Sequence, residues 1–430
     1  MAYEEATPLD VAVIGGGPAG ISACLELAKS NSLGVALFES QAQLGGMPQT
    51  CHYGFGMRDR KRFYTGPGYA KRLRSLVQQS DINICTDTTV VNIIPGSKEE
   101  PHRIKTTTKD GFKLYETRFI LLSTGCYEDA RPERLIPCKR PAGIYTVGQL
   151  QQMVNAQHLQ PGRRALIIGS EHVALSCVLT LRRSGTSIAG IVEEDPELQT
   201  YASVAIPMSF FFRFPIYKNT TVDEVLGLER VEGVNLVTKG NEESFKVECD
   251  TVIITGKFRP ISLLLDDIAI EQDPLSRGPV VDRNFMTSIP GIFAAGNVLR
   301  GADMNDLCAL EGRRAARGIL KMLQGSQLED ANAITLKAEP PIRYVVPQKI
   351  VPAQMESPIF PWMSPGVSIQ LEHTVRKPVI EAWAGNEQIW ECSFSKIIAR
   401  TRTLLPLKKF EWDRVDPKQE IVLKIRGANN

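Results

Sequence analysis

Short, unbroken apolar runs alternate with stretches of helical composition along the first three quarters of the chain. Val11-Ala12-Val13-Ile14 is apolar at every position, as a strand buried on both faces must be. A glycine turn follows, then residues 21–28, whose composition favours helix, and a second apolar run, Val35-Ala36-Leu37-Phe38, ending at Glu39. Two parallel strands need a crossover, so this pattern predicts a βαβ unit. It returns at Ala165-Leu166-Ile167-Ile168-Gly169, with a helix over 173–183 and a strand over 188–192, so one architecture occurs twice. Residues 105–108, 117–123, 247–255 and 289–295 predict further strands, and 307–323 a helix. After about Ser326 the texture changes. Pro340, Pro341, Pro347, Pro352, Pro358, Pro361 and Pro365 punctuate it, and alternating segments at 367–371, 379–383 and 421–425 predict a small, mainly-β region.

The first turn reads Gly15-Gly16-Gly17-Pro18-Ala19-Gly20, a G-x-G-x-x-G pattern between a strand and a helix. The spacing assigns Gly15 to the tight turn, Gly17 to close approach of a pyrophosphate, and Gly20 to helix–strand packing. A diphosphate is then expected on the helix N-terminus, where free N–H groups and the dipole favour an anion. Glu39, at the end of the second strand, is placed to accept hydrogen bonds from both hydroxyls of an adenosine ribose. Two later segments have matching form: a buried strand ending at Ser123-Thr124-Gly125, and Pro290-Gly291-Ile292-Phe293-Ala294-Ala295-Gly296-Asn297 opening onto a helix.

Length and charge narrow the class without naming a chemistry. The chain has 430 residues, enough for two or three domains, and a net charge of +2, which gives no overall field for nucleic acid or an anionic membrane. Acidic residues stand where a signal peptide carries basic ones, and no apolar run approaches the ~18 residues of a membrane span. The nine cysteines are scattered, with no C-x-x-C pair and no metal-cluster spacing. A reducing, cytoplasmic setting is expected, without a metal site, a transmembrane segment or a nucleic-acid partner.

Taken together, the three glycine segments resemble flavoproteins of the glutathione-reductase superfamily, whose late PGIFAAGD segment holds the ribityl and phosphates of FAD. The resemblance implies FAD as cofactor and Gly15, Gly17, Pro18, Ala19, Gly20, Glu39, Gly45, Gly46, Thr124, Gly125, Gly296 and Asn297 as its ligands. Asn297 stands where most members have Asp, which keeps hydrogen bonding and removes a charge. Narrower blocks, Gly45-Gly46-Met47-Pro48, Cys51 to Arg58, Thr65 to Ala70 and Arg140 to Thr146, are similar to particular flavoprotein subunits. These belong to opine, hydroxyproline and cyanide-forming dehydrogenases, or accompany glycerol-3-phosphate dehydrogenase. That likeness implies a dehydrogenase subunit working in electron transfer with two partners: a second flavoprotein dehydrogenase subunit, and a small iron–sulfur or cysteine-rich subunit. Disulfide reductases of the superfamily place a C-x(4)-C pair after the double glycine; here Cys51 stands alone, so dithiol chemistry is not expected. Cys51 and His52 remain candidates for a single flavin-facing thiol and a proton donor, against buried structural roles.

The expected fold is thus α/β, two Rossmann-like dinucleotide-binding domains of FAD and NAD(P) type plus a β-rich C-terminal domain. The expected boundaries are 1–125 and 248–326 for the FAD domain, 126–247 for the inserted NAD(P)-type domain, and 327–430 for the tail. In the second turn, Gly169-Ser170-Glu171-His172-Val173-Ala174, a glutamate replaces the glycine that lets a pyrophosphate approach. Gly169 and Glu193, which ends the following strand, are the candidate NAD residues, an acid there suiting a free 2′-hydroxyl. Two readings follow: electron exchange among NAD(H), FAD and a partner, or an FAD-loaded relay subunit with no nicotinamide activity. The basic stretch 52–76 reads first as a solvated face and second as a docking surface for an acidic partner.

Overall fold

The apolar run 11–14 lies in the strand Thr7–Ile14, whose last four residues are buried. It pairs in parallel with Val35–Phe38 on one side and Gly111–Leu122 on the other. The computed structural model describes residues 6–430 except 31, 98, 241–243, 327–332, 352–366, 406–414, 417, 418 and 428–430. The first sheet has seven strands, in the order 83–85, 35–38, 7–14, 111–122, 102–108 and 89–94, with 292–294 joined to 111–122. Helices α1 (Pro18–Leu27) and α2 (Gly66–Gln78) follow the early part of this sheet.

A second sheet of five parallel strands runs in the order 144–146, 251–254, 164–168, 187–192 and 216–217. Its helices are α3 (Val147–Gln151), α4 (His172–Arg183) and α5 (Ala202–Phe212). The expected single strand over 247–255 is two elements. Val247 ends a strand of the antiparallel sheet 220–226, 233–238 and 244–247, whereas Thr251–Ile254, fully buried, sits inside the second parallel sheet. The polar residues between them break the run, and the Asp250 carboxylate accepts the Arg163 and Arg164 N–H groups at 2.8–3.0 Å. Thr251–Ile254, beyond the expected 247/248 boundary, thus pairs with strands that precede it. An antiparallel pair, Cys126–Glu128 with Phe258–Pro260, connects the two parallel-sheet regions, and the short α6 (Leu263–Asp266) follows.

The last helix among the described residues, α7 (Asn305–Leu323), returns to lie against α1. The two backbones touch: a Cβ on Gly312 would stand 2.0 Å from the Ala19 carbonyl oxygen. Beyond it the chain is β-rich, with a five-stranded sheet ordered 349–350, 334–338, 421–426, 379–384 and 387–393 and a three-stranded sheet of 342–346, 368–371 and 403–404. This region has its own core around Leu336, Ile369, Ile380 and Leu423, but Tyr344 and Val346 are buried in the core of the first sheet. Pro352, Pro358, Pro361 and Pro365, and the boundary expected at 326/327, fall on or against residues outside those described.

Candidate functional site

Four segments distant in sequence converge on the N-terminus of α1. Gly15 has φ +107°, and a Cβ on it would stand 2.3 Å from the Ser123 carbonyl oxygen, so the turn brushes the end of the neighbouring strand. Gly20 is equally confined, its Cβ position lying 2.0 Å from the Gly15 oxygen. Gly17 is the opposite case, because no atom lies within 4 Å of a Cβ added there. As N-cap of α1 it offers no side chain to the helix N–H groups, and Pro18 has none to satisfy. Gly45 donates its N–H to the Gly16 oxygen at 2.8 Å, and Gly46 passes within 3.0 Å of the Gly17 Cα, measured from its own Cβ position. The Glu39 carboxylate accepts the Gly16 N–H at 2.8 Å and the Gln41 N–H at 2.9 Å, which holds it at the strand end beside the turn.

The late segment closes the other side. A Cβ on Gly296 would stand 3.0 Å from the Ala19 Cβ, and the Gly296 N–H donates to Glu311 Oε2 at 3.1 Å. Asn297 Oδ1 accepts from the Asp303 N–H at 3.0 Å and the Cys308 thiol at 3.1 Å. Its oxygen is thus committed to the protein. Thr124 donates its hydroxyl to the Ile261 oxygen at 3.1 Å, and nothing lies within 4 Å of a Cβ on Gly125. An open, uncapped helix N-terminus beside a strand-end carboxylate fits a dinucleotide bound through its diphosphate.

Cys51 and His52 lie where the two parallel-sheet regions meet. Cys51 Sγ is 3.5 Å from Ser176 Oγ in α4, and Gln151 donates to the same oxygen at 2.9 Å. Burial pushes the Cys51 thiol up, so it stays protonated at neutral pH, and all nine cysteines are free. Burial, then the nearby Arg183 charge, pushes the His52 imidazole down; its Nδ1 is buried without a hydrogen-bond partner. A neutral imidazole accepts a proton more readily than it donates one, which counts against the donor role. The basic stretch is only partly a solvated face. Arg58 pairs with Asp306 in the first turn of α7 at 3.4 Å, and buried Asp59 accepts the Tyr69 hydroxyl at 2.9 Å and pairs with Arg60 and Arg313. Asp59 was the visible signal, as the one acid among seven basic residues between His52 and Leu76.

The second turn has the same backbone and different contents. Gly169 has φ +108°, close to Gly15, and its Cβ position is 2.2 Å from Thr255 Oγ1. At the place matching Gly17 stands Glu171, the N-cap of α4, whose Oε2 accepts the Thr255 hydroxyl at 2.7 Å. Its Oε1 lies 1.7 Å from where a Cβ on Gly256 would be, so the carboxylate folds into a notch that only glycine leaves open. Glu193 is 1% exposed rather than open to a ribose. It accepts hydrogen bonds from Ser170, from the Asp195 N–H at 2.9 Å and from Gln199 Nε2 at 3.3 Å. Burial, with Glu171 and Asp195 nearby, pushes its carboxyl up to about 7 against the pull of those hydrogen bonds. Leu198, Gln199 and Thr200 form the buried cover, and the C-terminal region pins it through Glu197, which pairs with Arg376 at 2.6 Å and with Lys396.

Two glycine turns, each between a parallel strand and a helix of its own sheet, one open and one filled, define a flavoprotein oxidoreductase of the two-domain kind. Residues 9–312 match the pyridine nucleotide-disulphide oxidoreductase family, and the chain belongs to it. It is an FAD-dependent oxidoreductase, as the resemblance implied. Among curated proteins it is similar to the glutamate synthase [NADPH] small chain of Escherichia coli, 25% identical over 75% of this chain and 71% of that one. One of the opine oxidase subunits of Rhizobium meliloti is 24% identical over 67% of this chain and 58% of its own. Among solved structures, the thioredoxin reductase of T. acidophilum shares the fold, with a TM-score of 0.62 at 21% identity over 74% of this chain and 99% of that one. Among the described residues no helix is long and apolar enough to cross a membrane, and no group of three or more His, Cys, Asp or Glu could hold a metal ion.

Proposed function

We propose that the chain is an FAD-carrying subunit that exchanges electrons with a partner dehydrogenase subunit of the amino-acid, opine or glycerol-3-phosphate type. The contrast between the two turns carries this reading: Gly17 leaves its surroundings open, whereas Glu171 fills the corresponding place beside Gly256. Gly15, Gly17, Pro18, Ala19 and Gly20 would hold the diphosphate of FAD through backbone alone, and Glu39 the adenosine ribose. Gly45, Gly46, Thr124, Gly125, Gly296 and Asn297 would border the rest. FAD supplies the electron-accepting ring when bound; these residues bind and orient it.

A partner is supported by relatives that are themselves named as subunits or small chains. A small iron–sulfur or cysteine-rich subunit belongs to the same reading. An apolar surface adds support. Helix α5 exposes Phe210 at 86% and Phe211 at 77%, beside Val204 and Ile206, and Arg213 is the one charged residue between Glu197 and Lys218. Patches of this kind mark interaction sites. Reduction by NADH is a second reading, favoured by the Gly169 backbone, which repeats Gly15. It requires Glu171 to leave its notch. Releasing the flavin by denaturation and mixing the oxygen-free protein with NADH and NADPH tests both. FAD with no bleaching supports the relay subunit, bleaching supports the nicotinamide route, and FMN alone sinks the assignment.

A further inference from the structure

The C-terminal region enters the first dinucleotide site through one buried arginine. Arg402 lies outside the stretch that matches the family, yet its side chain is only 5% exposed. Its Nη1 stands 3.1 Å from Asp303 Oδ2 and 3.0 Å from Glu311 Oε1, and Arg300, with 0% side-chain exposure, pairs with the same two acids. Both acids lead on to the late turn by separate routes. Glu311 uses its other oxygen, Oε2, for the Gly296 N–H, and the Asp303 N–H donates to Asn297 Oδ1. Two cations balance two anions, and the balance fails without Arg402. Asp303 shows how far the four depend on one another. Burial alone would raise its carboxyl, but the Arg402 and Arg300 charges hold it below the ordinary value. Arg402 Nε and Nη2 and Arg300 Nη1 are buried with no hydrogen-bond partner. Native interiors pair most such donors with protein groups or ordered water, so spare donor capacity lies buried beside the late turn. Tyr344, also from the C-terminal region, lies under Arg300 at 5.8 Å from its ring centroid.

We propose that Arg402 is a positioning residue for the flavin, by which the C-terminal region sets the Gly296–Asn297 turn and neutralises the buried acids beside it. The proposal rests on the FAD placement above. Reducing a flavin adds electrons, so a net buried anion nearby disfavours the reduced form and a net cation favours it. Replacing Arg402 by methionine leaves Asp303 and Glu311 against Arg300 alone. We expect Arg402→Met to bind FAD about tenfold more weakly and to shift its two-electron reduction equilibrium about tenfold toward the oxidised form, roughly 30 mV lower. Glu311→Gln should shift the potential the opposite way, because it removes an anion. Arg402→Lys keeps the charge on a single donor and should restore most of the potential but only part of the affinity.

The measurements are FAD titration of the deflavinated full-length protein and potentiometry of the reloaded protein, with circular dichroism as the fold control. Opposite shifts in Arg402→Met and Glu311→Gln, with rescue by Arg402→Lys, are the expected result; a purely structural arginine would not produce a sign change. Wild-type affinity and potential in both Arg402→Met and Glu311→Gln overturn the proposal while leaving the FAD assignment intact. If Arg402→Met does not fold, Glu311→Gln and Arg402→Lys still decide, because an unchanged potential in the former overturns it. A wild-type protein that takes up no FAD removes the cofactor assignment, and this proposal with it.

Discussion

At the scale of single residues, the glycines of one motif have different jobs that only coordinates separate. Gly20 and Gly15 are confined by backbone oxygen, whereas a Cβ on Gly17 meets nothing. Gly17→Val should therefore purify without flavin and melt at the temperature of deflavinated wild type, because the added methyls occupy only the space the diphosphate needs. Gly20→Val should instead cost the fold about 1–3 kcal/mol or more through overpacking, read as a lower urea midpoint even in deflavinated protein. Equal flavin loss and equal stability in the two variants would contradict this division. Glu193 makes a second residue-scale prediction. Its carboxyl is raised to about 7 in the folded protein by burial, above its ordinary 4.5. The folded state thus holds this proton more tightly than the unfolded chain. The associated stability is fully present below about pH 4.5 and is lost as pH rises through about 7. Glu193→Gln should remove that loss, making the variant more stable than wild type at pH 8 by on the order of 1–3 kcal/mol and no more stable at pH 4.5. Denaturant melts at the two pH values check the sign.

At the scale of elements, the two βαβ units were legible because a parallel strand buried on both faces has few ways to be written. Residues 11–14 and 165–168 are unbroken apolar runs, and each is a central strand of its sheet. Apolar content alone joins 247 to 251–254, because it marks burial and does not say which sheet a strand enters. Pairing with 144–146 and 164–168 decided that. Glu171 was visible as an intrusion, but its rotamer depended on the Thr255 hydroxyl and the missing side chain at Gly256, both at the end of another strand. The α4 turn should therefore gain nucleotide access when that carboxylate is removed. Glu171→Gly should raise the rate of flavin reduction by NADH about tenfold, the factor that a ~1.4 kcal/mol gain in nucleotide binding gives once the filled place is open. A stopped-flow trace no faster than wild type would leave the buried cover at 198–200 as the dominant obstacle.

At the scale of the whole molecule, the α5 patch is the feature that a lone subunit does not explain. The run from Tyr201 to Phe214 is mostly apolar, yet in the fold only Ala205 and Phe214 are buried. Phe210→Asp should leave flavin content and melting temperature near wild type, since that side chain is already in solvent. It should abolish co-purification of the proposed partner subunit, as central apolar anchors of an interface contribute about 2 kcal/mol or more. Retained co-purification would place the partner elsewhere, with the basic stretch at 58–74 as the next surface to test.

The amino-acid order alone determined the two parallel-sheet units, the open glycine turn with Glu39 behind it, the lone cysteine and the β-rich tail. Each depends on residues close in the chain: a strand's apolar run, a turn's absent Cβ, the spacing of one motif. The closed second turn, the apolar face left outside on α5 and the reach of Arg402 into the Gly296–Asn297 turn were decided by tertiary structure. Charges and cavities act through space. Arg402 and Glu311 become partners only once a separate β-rich core has docked against α7, and no local pattern near either residue records that contact.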